Sequence, residues 1–561
     1  MISIIFCLFL GVFMKYISGI SHSQTTFLPE CIDDLIAEDN PVRVIDAFVD
    51  SLDIETLGFH RYTPSYTGRP GYDPRDLLKL YVYGYFNKFR SSRKLMIECT
   101  RNVELFFLLN RITPDFRTIA DFRKNNSKAI KNVFSAFVKL CLKLDLYNRE
   151  LIAIDGSKFR AVNSKMNSYN QDTLNRKIKH IEDSISNYLS QMDNEDSNAS
   201  DSDNSNKVKA ALEELRTRKE KYLGFLDEIK KSGESQYLTT DPEARVMHSK
   251  DGFHCSYNVQ TAVDSESHLI ADFKVTNCCN DQGLLTEVAT SAKEMLEVET
   301  IETVADKGYE SRQDIENCIM NGIVPNVAFK YDQKERIYNY EFIESDITED
   351  IKNSTHPENI KKCIHAGVLP KCYEKTAISV DIQEQHERLS CFTLNEDGTV
   401  TCPMLHTLSK TKMRGRNTIY ANKDACRQCT NRCTSSTKYK TVSFGPDSKY
   451  VPVKIFGAPE IEVNKIPLNI PINPFNHTLD RKDYTDKRKV ILKIKEDIPK
   501  MKLRMCLSEH PFGTVKWYHG AHYLLCRGKE KVAAELGLSF LAYNMKRAIN
   551  MIGIQKLIAA M

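Results

Sequence analysis

The apolar positions along this chain change their period near residue 150, and that change divides the sequence. Residues 28 to 148 repeat at helical spacing: "DPRDLLKLYVYGYFN" opens on Asp73-Pro74, a helix-start pair, and carries apolar residues at helical intervals. "TPDFRTIADFRKNN" repeats the pattern, with Thr113 and Pro114 expected as cap and first turn. From Leu151 the runs are short and β-like. "IAID" comes first; after a long interruption come "SYNVQTAVD" and "HLIADFKVTN", joined by a polar Ser-Glu-Ser turn, and the pair reads as an antiparallel hairpin. "DQGLLTEVATSAKEML" is helical in period, and "ETVADKGYES" contains an apolar run that ends on Asp306. A short helix near 311 to 320 then leads into "IVPNVAF". The order strand, hairpin, helix, strand, helix, strand predicts an α/β fold with one mixed sheet.

The interruption, about 166 to 250, has a different period. Leu174, Ile178, Ile181, Ile185 and Tyr188 form a heptad-like seam, and Leu212, Leu215, Tyr222, Leu226 and Ile229 form a second. Between them "QMDNEDSNASDSDNSN" carries acids and no base, which predicts a flexible loop. The segment therefore reads as a helical hairpin inserted between the first two strands. Residues 336 to 500 are mixed and Lys-rich, with several prolines after 450. "GKEKVAAELGLSFLAYNMKRAINMI" is an amphipathic helix.

Composition narrows the class. The 561 residues suffice for roughly three domains, and 41% hydrophobic with 27% charged residues is ordinary soluble globular composition. The net charge of +4 says little, but from Arg61 to Lys131 there are 15 Lys/Arg against 6 Asp/Glu. Such a helical patch suits either a polyanion such as nucleic acid or a plain solvated surface. Seventeen scattered cysteines fit a reducing compartment better than a disulfide framework. The opening "MISIIFCLFLGVF" resembles a signal-peptide core. Yet it has no preceding cation and no clear cleavage site, and it is shorter than the about 20 residues a membrane span needs. Residues 1–13 are therefore expected to be an over-extended start, with translation beginning at Met14.

The chemistry centres on two aspartates. "LIAIDGSKFRAVNSK" runs four apolar residues into Asp155 and then into Lys158, Arg160 and Lys165; a second apolar run ends on Asp306 followed by Lys307. Either acid alone reads as a strand-end turn or a helix cap. Together they fit the ribonuclease-H-like arrangement, in which the first and fourth strands lie side by side and share divalent metal. A third carboxylate should then come from a later helix, and Glu509 in "RMCLSEHPFGTVKWYHG" is the candidate. Lys516 lies two helical turns on, although Pro511 and Gly513 predict a kink or restart there.

At these residues a family resemblance becomes specific. "AIDGSKFRAVNSK", "YNVQTAVD", "VADKGYES" and "EHPFGTVK", in this order, resemble the DDE transposases of bacterial insertion sequences, in the group with a Y-x2-R-x3-E-x6-K signature. "RPGYDPRDLLKLYVYGY" is similar to the helical N-terminal domain that such proteins carry. The resemblance covers nearly the whole chain from Met14. It implies a ribonuclease-H-like α/β core with an α-helical DNA-binding domain over 14–148. The core would occupy 149–335, with the helical-hairpin insertion, and 501–561; a Cys-containing insertion would fill 336–500. It implies Asp155, Asp306 and Glu509 as catalytic residues holding two Mg²⁺ (or Mn²⁺) ions. The activity it implies is cleavage at the element's ends and strand transfer into target DNA, in cut-and-paste fashion. Lys158, Arg160, Lys307, Arg504 and Lys516 would hold phosphates. The signature itself is altered: Lys502 stands at the tyrosine position and Met505 at the arginine position, with Arg504 one residue early. A transposase-derived DNA-binding protein with impaired catalysis is therefore the rival reading.

The implied partners are double-stranded DNA, as terminal inverted repeats and target, and a second copy of the chain; the implied location is cytoplasmic, at the nucleoid. Cys402, Cys426, Cys429 and Cys433 suit structural Zn²⁺ by ligand type, while their wide first spacing equally fits reduced, unligated thiols. Trp517 is expected to pack rather than to stack on an unpaired base, and His248 and His254 to be satisfied or surface histidines rather than metal ligands.

Overall fold

The computed structural model of the protein describes residues 31–60, 71–195, 202–249, 251–329, 335–429, 433–434, 438–446, 448–456 and 484–561. Residues 1–13 and the expected start at Met14 lie outside them. The chain divides into two units: the described residues up to Phe134 together with Gly537–Met561, and Ser135–Leu536. The segment 537–561, grouped by sequence with the core, thus falls in the helical unit.

The first unit is built on the helix Pro74–Phe86. Asp73 caps it by accepting from the Arg75 amide at 2.8 Å, and Pro74 fills the first turn, where no amide partner is needed. Tyr81, Tyr83 and Tyr85 are all buried, so this helix is enclosed rather than amphipathic. Each phenol has a polar partner: Tyr81 donates to the Ile119 carbonyl at 2.7 Å, Tyr83 to Glu104 at 2.5 Å, and Tyr85 accepts from Arg123 at 2.9 Å. The helix crosses its neighbour closely, since a Cβ at Gly84 would stand 2.6 Å from the Leu95 side chain. The helix expected near Thr113 begins later, at Phe116. Asp115 caps it, accepting from Arg117 and Thr118 at 2.9 and 3.2 Å, because a carboxylate reaches two amides where Thr113 reaches none. Two members of the basic stretch turn inward: Lys79 is buried between Asp46 and Asp50, at 2.6 and 2.8 Å, and Arg123 is buried under Tyr81. Lys88, Arg93, Lys94, Arg101, Arg111, Arg117, Lys124, Lys128 and Lys131 remain exposed.

The second unit holds the mixed sheet. Its strands are β1 (Leu151–Arg160), β2 (Arg245–Ser249), β3 (Gly252–Asp264), β4 (Ile270–Thr276), β5 (Ile301–Ala305) and β6 (Ile323–Val327). The order is β2-β3-β1-β5-β6, with β4 continuing alongside β3. β1 runs antiparallel to β3 and parallel to β5, which is parallel to β6. Residues 151 to 154 are buried, as a four-residue apolar run between two strands requires. Pairing of β1 with β5 stops at Ala153, so Asp155 emerges where its neighbour strand has ended.

The inserted hairpin is two helices, Gln171–Glu195 and Ser202–Ser232. Leu174, Ile178, Leu226 and Ile229 close its core, so the two seams meet. The helices run further into the acidic stretch than a sixteen-residue loop would leave room for. The described strands between residues 335 and 495 form a separate 8-stranded sheet. Its core includes Phe392, Val400, Leu408, Tyr420, Val442, Phe444 and Val453.

The helix Ile498–Gly513 returns the chain to the mixed sheet. Leu507, buried, packs on Leu151, Ala153 and Val304. Contrary to expectation, Pro511 does not break it: the helix continues to Gly513 and then widens into a π turn, Thr514–Tyr518. Leu507→Ala should lower stability by about 2–5 kcal/mol, read from the denaturant midpoint. An unchanged midpoint would mean the helix is not seated on β1 and β5.

Candidate active site

The apolar run of β1 ends on Asp155 and that of β5 on Asp306, and the two acids meet because these strands are neighbours. Asp306 caps the turn Lys307–Tyr309, accepting from the Gly308 amide at 2.6 Å; Asp155 accepts from the Gly156 amide at 2.8 Å. Burial pushes the Asp155 carboxyl up to about 6. The Asp306 charge adds to that rise, while the Ser508 hydroxyl, the Gly156 amide and the Arg504 guanidinium oppose it. Ser508 is fully buried; its hydroxyl faces Asp155 and lowers it without a hydrogen bond of full geometry.

Arg504 and Ser508 lie four apart on the 498–513 helix and so share the face turned to Asp155. Met505 is 57% exposed on the adjacent flank. The arginine that stands one residue early in the signature is therefore the one beside the acid pair. Glu509 is exposed, one position round from Ser508. Lys516 leaves the helix on the π turn, which shifts the phase, so seven-residue spacing no longer places it with Glu509. Its ammonium donates to Ser157 Oγ at 2.6 Å and the Lys158 carbonyl at 2.7 Å, above the Phe159 ring. Behind it, the Arg160 amide donates to the His522 carbonyl at 3.1 Å and the Arg160 carbonyl accepts from the Leu524 amide at 2.8 Å, fixing that loop to the end of β1. Lys158 is half-buried and Lys307 exposed. Arg160 lies 3.4 Å from Asp251 and 3.3 Å from His254.

Several polar residues that the sequence did not single out surround the acids. Tyr309 is fully buried and donates to Gln260 Oε1. Burial, then the charges of Asp281, Asp155 and Asp306, hold its phenol well above its usual range, so it stays a neutral donor. Asn258 and Gln260, on β3, donate to Asp281 Oδ1 at 2.7 and 2.8 Å. Trp517, expected to pack, is 71% exposed and stacks on His522 with ring centroids 5.7 Å apart.

Among the described residues, no three His, Cys, Asp or Glu side chains stand as a ready-made metal group. The donor chemistry nonetheless fits a hard cation: two carboxylates, one with its charged form penalised by burial and by the other's charge. Cys402, Cys426, Cys429 and Cys433 border one pocket, together with Met404, His406 and Lys440. Cys402 Sγ accepts from the His406 amide at 3.2 Å. Burial pushes the Cys433 thiol up to about 11 and raises that of Cys402, and neighbouring cysteines add to both shifts.

Gly156 is where this site tolerates no side chain. A Cβ there would come 2.3 Å from Gln260 Nε2 and 2.5 Å from Asp281 Oδ1. Gly156→Ala should cost about 1–3 kcal/mol of stability by denaturant unfolding; a neutral result would contradict the packing of β1 against this network.

Residues 30–125 match the family described as "Transposase domain (DUF772)". Among solved structures the chain is similar to a piggyBac transposase synaptic complex with hairpin DNA. That likeness has 8% identity and a TM-score of 0.22, covering 93% of this chain and 84% of that chain; at that score it carries no argument. No curated protein matches. Among the described residues, no helix is long and apolar enough to cross a membrane.

Proposed function

We propose that this chain is a DDE-type transposase that cuts DNA at the ends of an insertion sequence and joins them to target DNA. The observation that carries the reading is the meeting of Asp155 and Asp306 at adjacent strand ends, with Arg504 and Ser508 facing Asp155 from a helix laid across the sheet. The match of residues 30–125 to a transposase domain supports it independently. The strand order, with β1 between an antiparallel and a parallel neighbour, supports a ribonuclease-H-like core.

Asp155 and Asp306 would hold divalent metal, with Glu509 as a third carboxylate from the helix. Two Mg²⁺ or Mn²⁺ ions there would supply an activated oxygen nucleophile and neutralise the leaving oxygen. Arg504 offsets the acids' mutual repulsion and offers a guanidinium to a phosphate. Lys158, Arg160, Lys307 and Lys516 supply positive charge for the DNA backbone, and the helical unit carries exposed cations of its own. Lys516 also ties the π turn to Ser157 and so keeps that charge at the strand end. Bringing two DNA ends together calls for at least two copies of the chain. The rival reading, a catalytically impaired DNA-binding protein, rests on Met505; Arg504 beside Asp155 weighs against it.

The reading includes a structural zinc at Cys402, Cys426, Cys429 and Cys433. Its support is that the four cysteines line one pocket and that the His406 amide donates to the Cys402 sulfur, a bond that opposes the burial-driven rise of that thiol. Metal analysis should find about one zinc per chain, lost together with thermal stability in Cys426→Ser. A zinc-free chain that melts at the same temperature as the zinc-treated one would rule the site out.

The test of function is cleavage of a labelled duplex carrying the DNA that flanks this coding sequence, by the full chain with Mg²⁺. Nicking at the element's end, abolished in Asp155→Ala, is expected. Binding by both proteins with nicking by neither would overturn the enzymatic reading.

A further inference from the structure

Asp281 stands at the head of "DQGLLTEVATSAKEML", where an acid ordinarily caps a helix. It does not cap this one. The helix Leu285–Met295 begins with no capping side chain of its own, and the amides of Leu285 and Thr286 are taken by Asp314, at 2.9 and 3.3 Å. The Asp281 carboxylate turns back to the sheet instead. Its Oδ1 accepts from both Asn258 and Gln260, at 2.7 and 2.8 Å, on the β3 face that Gly156 shares through its pairing with Gln260. Its Oδ2 points along the Gly308 turn, 3.7 Å from where a Cβ on Gly308 would sit; the same point lies 2.7 Å from Asp306 Oδ1.

The surroundings are built for a ligand rather than for a closed core. Asn258 is fully buried, yet its Oδ1 has no hydrogen-bond partner among the described residues. That oxygen is aimed at Gly156, 3.1 Å from the position a Cβ would take there. A buried amide oxygen left without a donor costs about 1–3 kcal/mol, a cost that is offset when a cation or its water occupies the space. Gly156 and Gly308, which have no side chains, are where the Asp281 carboxylate comes close to the backbone that follows Asp155 and the backbone that follows Asp306.

We propose that Asp281 is a further cation-holding carboxylate of this site, its Oδ1 fixed by Asn258 and Gln260 and its Oδ2 facing the turn that carries Asp306. The proposal rests on the reading of Asp155 and Asp306 as cation ligands. Gln260 is the link that sets the geometry: it donates to Asp281 and accepts from Tyr309, which follows Asp306 by three residues. The carboxylate is thus held to the turn whose acid it joins.

Mn²⁺ titrated into the full-length chain without DNA, followed calorimetrically, tests this apart from activity. Asp281→Asn should weaken Mn²⁺ binding by about tenfold or more, with the metal-free circular dichroism and melting temperature unchanged. Asp155→Asn should weaken it as well, and Glu297→Gln, at an exposed position, should not. Wild-type affinity in Asp281→Asn beside a loss in Asp155→Asn would overturn the role of Asp281 and leave the proposed function standing. No saturable Mn²⁺ binding by the wild-type chain would overturn both. Should Asp281→Asn fail to fold, Asp281→Ser keeps an acceptor for the two amides without the charge, and the same loss is expected of it.

Discussion

β1 lies antiparallel against β3 with Asp155 opposite Thr261, Gly156 opposite Gln260 and Lys158 opposite Asn258, and the groups of the acid pocket take their places from that register. Side chains alternate along a strand, so Asp155 shares the face of Leu151 and Ala153, on which Leu507 of the long helix rests. Gly156 shares the other face with Gln260 and Asn258. A slip of one residue would bury Gly156 under the helix and turn Asp155 toward the amides. The apolar run before Asp155 prevents this, because Ile152, Ala153 and Ile154 are wholly buried and would have to exchange faces.

Electrostatics then sets what that frame can hold. Asp155 is penalised by burial and by the nearness of Asp306, and the opposition comes from a hydroxyl, an amide and a single guanidinium. Such partial compensation leaves the carboxylates with an excess of negative charge. Around that excess lie Lys158, Lys307 and Lys516, which suits an anionic ligand approaching a cation held between carboxylates. The basic surface of the helical unit has the same sign, while Lys79 is withdrawn from it to pair with Asp46 and Asp50, and Arg123 to bond the buried Tyr85.

Much of the sheet was legible because its strands are apolar runs with sharp polar ends. The hairpin of β3 with β4, the strands ending on Asp155 and Asp306, and the helices between them all follow from period and turn chemistry. The extra strand β2 was not, since Arg245–Ser249 is too short and too polar to stand out. The site was less legible than the fold. Asp281 was hidden because an acid at a helix head reads as a cap, and only the bonds from Asp314 show that the capping is done elsewhere. Counting along the signature put the arginine position at Met505; helical phase puts Arg504 on the same face as Ser508. Pro511 suggested a break, yet the chain widens into a π turn after Gly513 instead, and a local sequence rule does not carry that choice. Trp517 illustrates the limit of composition: a lone tryptophan is usually core, and this one lies open beside His522.

On the proposed reading, three separated stretches, around 155, 306 and 504–509, surround the bound divalent metal. Localised oxidative cleavage measures this directly: Fe²⁺ substituted for Mg²⁺ in the full-length chain, with ascorbate and peroxide, cuts the backbone near the bound iron, and the fragments are mapped by mass spectrometry. Cuts are expected to cluster near Asp155, Asp306 and the 504–509 turn of the helix, with further cuts near Asp281, all suppressed by excess Mg²⁺. Cuts confined to one of these stretches, or scattered without suppression by Mg²⁺, would contradict it.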